Sequence, residues 1–143
     1  MFSTAHLHPM LVHFPIALVA IGFLAEFTFL LFKKEVCLTK MGFYLLVIGT
    51  LAACATWLSG DLFTSEMTGA AGEVRETHEL LASITVGLLI ATSVLRSVIL
   101  FLKSENSKLK ILAFLLYGLA ALSVSATGFF GGTLVSKYHF QFT

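Results

Sequence analysis

The sequence predicts an all-α fold, a four-helix transmembrane bundle with both termini outside the cytoplasm. Three observations carry that prediction. Only 12% of the 143 residues are charged, about half the share typical of soluble domains. Mean hydropathy is +0.93. Four apolar stretches, 14–32, 41–63, 80–102 and 111–135, reach or approach the ~20 residues that a helix needs to cross the hydrocarbon. The segments between them are too short for a second module, so residues 1–143 read as one domain.

The first stretch follows "AHLHPMLVHFP" at residues 5–15, which holds His6, His8 and His13 between and beside Pro9 and Pro15. No Lys or Arg precedes Lys33, so the run lacks the cationic start of a signal peptide and reads as a retained helix. Pro15 cannot donate to the carbonyl of Leu11, which predicts an irregular first turn. Deep in this span lies Glu26, seven residues before Lys33, about 10 Å inside the boundary.

Residues spaced by three and four share a helix face. On the second span that spacing selects Thr50, Cys54, Trp57 and Asp61. On the third it selects His78, Ala82, Thr85, Leu89, Thr92 and Arg96. Arg96 lies seven residues before Lys103, at the depth of Glu26, and a lone intramembrane charge costs at least about 2.5–3.5 kcal/mol. A structural ion pair between Glu26 and Arg96 is expected. On the fourth span the stripe is Gly118, Ala121, Ser125, Gly128 and Gly132, continuing through Ser136 to His139. Small residues let backbones approach closely; they also leave room for a flat cofactor.

Orientation follows the placement of Lys and Arg in short loops. Lys33, Lys34, Lys40, Lys103, Lys108 and Lys110 fall on one side; the other has Arg75 and Lys137 beside Asp61, Glu66, Glu73, Glu76 and Glu79. The first side is assigned to the cytoplasm. All five histidines, His6, His8, His13, His78 and His139, then gather at the outer face.

The stretch "HLHPMLVHFPIAL" (6–18) resembles the signature of a bacterial membrane family, domain of unknown function twenty-two thirty-one. "SGDLF", "ETHELLAS" and "GGTLVSKYH" are similar to its later segments, so the resemblance covers nearly the whole chain. The resemblance matches the family's recurring histidines to His8, His13, His78 and His139, and its intramembrane acid and arginine to Glu26 and Arg96. Family members often carry His-Gly near the end, where this chain has His139-Phe140. The resemblance implies a four-helix protein of the bacterial inner membrane in a respiratory neighbourhood, since such domains occur with cytochrome c modules.

Three function classes follow from the residues. The leading one is a b-type cytochrome-like redox protein, because neutral imidazole ligates haem and bundles build cofactor sites from inward-facing side chains. His8, His13, His78 and His139 are the candidate haem b ligands. His13 leads, opposite His78, with His8 and His139 as a second pair. Phe14, Trp57, Phe129, Phe130 and Tyr138 are placed to wall the pocket. The second class is a zinc, copper or iron site made by the same four histidines with Asp61. The third is a cofactor-free structural subunit of a respiratory complex. An electron-transfer or binding protein is favoured over an enzyme, because no phosphate loop or HExxH is present. Cys37 and Cys54 form neither CxxC nor CxxCH. The expected partners are the lipid bilayer and a c-type cytochrome or respiratory complex, with no nucleic acid; a homo-oligomer is left open.

Overall fold

The computed structural model describes residues 7–33, 35–63 and 67–138. Among them the chain is helical apart from short connections: α1 Leu7–Leu11, α2 His13–Phe32, α3 Val36–Phe63, α4 Ala70–Phe101 and α5 Ser107–Thr133, the last running into a π-helical turn, Leu134–Tyr138. Four helices are long and apolar enough to cross a membrane, with α1 and α2 serving as one span.

The break between α1 and α2 falls at Val12, where Pro15 removes the donor that the Leu11 carbonyl would have received. Thr56 of α3 compensates. Its hydroxyl, bonded to the Ala52 carbonyl at 2.8 Å, also reaches the Leu11 oxygen at 3.4 Å. The backbone stays helical through the break, since the Val12 amide donates to the His8 carbonyl at 3.2 Å.

Three helices begin four or more residues before the apolar stretches: α3 at Val36, α4 at Ala70 and α5 at Ser107. The extra turns of α4 are polar and stabilise themselves locally. Arg75 Nε donates to Glu79 at 2.7 Å, and the Thr77 hydroxyl to the Glu73 carbonyl at 3.0 Å. With 32 residues, α4 is about 48 Å long and outruns the ~30 Å hydrocarbon. At the other end, the Asn106 side chain caps α5 by accepting from the Lys108 amide at 3.0 Å.

Packing is closest within two hairpins, α2 with α3 and α4 with α5, and sparser between them. The core joins Val19, Leu46, Ala53, Leu89, Tyr117, Ala120 and Val124. Buried with them are Thr50, Thr56, Ser59, Thr85 and Thr92, whereas large apolar side chains such as Leu51, Leu62 and Leu122 point outward. Small and hydroxylated residues inside with leucines outside is the distribution that lipid favours, because helices there associate through close packing and interhelical hydrogen bonds. Thr85 Oγ1 lies 2.7 Å from Ser123 Oγ and 3.0 Å from Thr127 Oγ1, and Thr50 Oγ1 lies 2.8 Å from Ser93 Oγ.

The ends of the bundle differ. Near the Lys33 end, Arg96 Nη1 donates to Glu26 Oε2, joining α4 to α2. The carboxylate packs against Gly42 of α3, where a Cβ would strike Glu26 Cγ. The candidate site lies at the opposite end, 18 residues back along each helix, or about 27 Å.

Candidate functional site

α1 carries His8 and the first third of α4 carries His78, and the bundle brings their rings together. The centroids are 6.2 Å apart and the planes cross at 83°. Neither ring is loose. His8 Nδ1 lies 3.1 Å from the Thr56 carbonyl and 2.9 Å from Ser59 Oγ, while Ser59 donates its own proton to the Thr56 carbonyl at 2.7 Å. His78 Nδ1 lies 3.0 Å from the Thr127 carbonyl. A carbonyl oxygen can only accept, so both Nδ1 atoms donate. That fixes the tautomer and leaves each Nε2 with its lone pair.

Glycine makes the approach of each ring possible. A Cβ on Gly60 would lie 3.0 Å from His8 Cε1, and one on Gly131 would lie 3.0 Å from His78 Cε1. Each imidazole thus rests on the helix that holds its Nδ1. Trp57, Ala82, Thr85, Gly128 and Gly132 line the cavity beside the rings, and the Trp57 indole donates to Ser83 Oγ at 3.2 Å, tying α3 to α4.

The expected donors do not all meet here. His13 is exposed, and its Nδ1 donates to the Pro9 carbonyl at 2.9 Å. Five residues turn a helix by about 140° from the His8 direction, so His13 and His8 cannot face the same cavity. The expected His13–His78 pairing is replaced by His8–His78. Asp61 is exposed and makes no part of the cavity lining. His6 and His139 lie outside the described residues. Among the described residues no group of three or more His, Cys, Asp or Glu side chains converges on a metal-sized space. Of the five aromatic residues expected to wall the pocket, Trp57 does so, while Phe14 and Phe129 point outward, 62% and 72% exposed. Phe130 and Tyr138 are likewise not among its walls.

Sequence reasoning missed Thr56, Ser59, Gly60, Thr127 and Gly131. One signal was available. "TWLSG" (56–60) and "TGFFG" (127–131) place a threonine four residues before a glycine near the C-terminal end of both return helices.

Among known families, the one described as "Predicted membrane protein (DUF2231)" matches residues 4–143. No curated protein and no solved structure matches the chain.

Proposed function

The chain belongs to that family of predicted membrane proteins, and from that premise we propose that it is a b-type cytochrome-like redox protein, in which His8 and His78 would hold the haem. One observation carries the reading: two imidazoles face each other inside a membrane bundle, each held through Nδ1 by a backbone carbonyl. Ligating histidines are oriented in this way, since the acceptor on the other ring nitrogen fixes the ring and raises the basicity of the free one. The ring centres lie 6.2 Å apart, close enough that one metal centre would be held by both residues.

Among the described residues the donor count suits haem better than a bare ion. Zinc sites take three or four protein ligands; a porphyrin supplies its own four and asks for two. Two imidazoles are what the described residues bring together. The cavity encloses about 80 Å³, room for the metal and its neighbouring atoms, so the macrocycle's rim would occupy the more open seam between the hairpins. Haem would supply a one-electron couple. The chain's contribution is to fix two imidazoles and to shield them with apolar walls. Its position near the outer end of a bacterial inner-membrane bundle suits exchange with a c-type cytochrome or a respiratory complex.

The test is spectroscopic. Protein purified from cells given ample haem should show a Soret band and, after dithionite, the α and β bands of a b-type centre. His8→Ala and His78→Ala should each abolish or transform that spectrum, and His13→Ala should leave it intact. Stoichiometric zinc or copper with no visible absorption would replace haem with a metal-ion site; a protein holding neither is a packing subunit.

A further inference from the structure

The two hairpins repeat each other. His78 follows His8 by the same interval that separates Arg96 from Glu26, 70 positions. At that interval Val19 corresponds to Leu89, both 0% exposed, and buried Gly22 to buried Thr92. The return helices match at one position more. Leu46 then corresponds to Tyr117, both fully buried; Ala53 to Val124; Thr56 to Thr127; and Gly60 to Gly131. Any up-and-down bundle relates its hairpins roughly by a two-fold rotation, so matched burial alone carries little weight. Matched chemistry carries more. In both hairpins a histidine on the outgoing helix gives its Nδ1 proton to a threonine carbonyl on the return helix, at 3.1 and 3.0 Å, and lies 3.0 Å from where a Cβ would stand on the glycine four residues later. Because α2 and α4 run in the same direction, the axis relating the copies runs along the helices, as in parallel membrane repeats.

We infer that the chain is an internal duplication whose two His–Thr–Gly units form a single site on the pseudo-two-fold axis, taking one metal centre per chain with both imidazoles bound to it equivalently. The inference rests on the haem reading for the identity of the ligand, which it specifies as a six-coordinate metalloporphyrin. Equivalence follows from the shared construction: each ring has a threonine carbonyl as acceptor and the same glycine seat, and the one added contact, Ser59 Oγ beside His8, has Phe130 at the matching position in the other hairpin. The copies diverge at the other end, where two like charges would repel across the axis and a carboxylate meets a guanidinium instead.

Haemin titration of the purified full-length protein tests this. The expected result is one haem per chain with a six-coordinate low-spin spectrum. His8→Ala and His78→Ala should each convert it to a five-coordinate high-spin spectrum with similar losses of affinity, and added imidazole should restore the low-spin form in both. Two haems per chain, a five-coordinate unaltered protein, or a spectrum that depends on only one histidine would overturn the shared site while leaving a haem protein. If haemin does not bind, the haem reading falls and zinc titration decides the site. One ion per chain, lost equally in either variant, retains the two-fold site; no ion, or loss in one variant only, ends it.

Discussion

At the scale of single residues, histidines were legible as a class, but which of them face inward was not. His8 and His13 are indistinguishable by composition, and the proline-interrupted start of the first span obscured its phase. Thr56, Gly60, Thr127 and Gly131 were illegible for another reason: their contribution is a backbone carbonyl and a missing side chain. Gly131 gives a direct test. A Cβ there meets His78 Cε1 at 3.0 Å, whereas at Gly87, away from the cavity, it meets nothing within 4 Å. Gly131→Val should therefore displace the imidazole and lose the cofactor spectrum, with Gly87→Ala as a silent control. Equal spectra in the two variants would refute the glycine's role as the seat of the ring. The Glu26–Arg96 contact makes a second prediction. Glu26→Gln and Arg96→Leu should each destabilise the protein by roughly 2.5–3.5 kcal/mol, the scale for an unpaired charge in the hydrocarbon, and the double variant by less than their sum. Thermal melts in detergent measure this, and strict additivity would mean separate partners.

At the scale of elements, the four spans follow from hydropathy, but the buried faces were only partly readable. The stripe on α4 was phased correctly, with Thr85, Leu89 and Thr92 buried, because polar residues interrupt an apolar helix at the required spacing. On α3 the chosen stripe included Trp57 and Asp61, which are exposed, while Ala53, Thr56 and Ser59 are buried. A helix apolar on all sides has little amphipathic phase to read. On α5 the buried line is Ala113, Tyr117, Ala120 and Val124, adjacent to the expected small-residue stripe, whose Ser125 is exposed. The α1–α2 break is an element-scale device that can be tested. Pro15→Ala restores an amide for the Leu11 carbonyl, which now leans on the Thr56 hydroxyl. The variant should melt higher, since proline inside a helix costs up to about 3 kcal/mol relative to alanine. It should also hold haem less tightly, because a straightened first turn redirects His8. An unchanged melt and unchanged affinity would show that the break is incidental.

At the scale of the whole molecule, the histidine pair and the ion pair lie at opposite ends of one bundle, so topology determines which compartment the candidate site serves. Lys33, the connection at residues 102–106 and Lys108 lie at one end; residues 67–69 lie at the other. Six basic residues near the first end against two near the second predict that the first faces the cytoplasm. Glu105 and Thr68 are exposed positions at the two ends. Among the described residues Glu105 pairs with the exposed Lys110, a contact of little energetic weight, so both sites tolerate a probe. In a background with Cys37 and Cys54 replaced, a membrane-impermeant maleimide should label Thr68→Cys in intact cells and Glu105→Cys only after permeabilisation. The reverse pattern would place the imidazoles at the cytoplasmic face. Electron exchange with an external c-type cytochrome would then be excluded, while the pairing of His8 with His78, which depends on the bundle and not on its orientation, would stand.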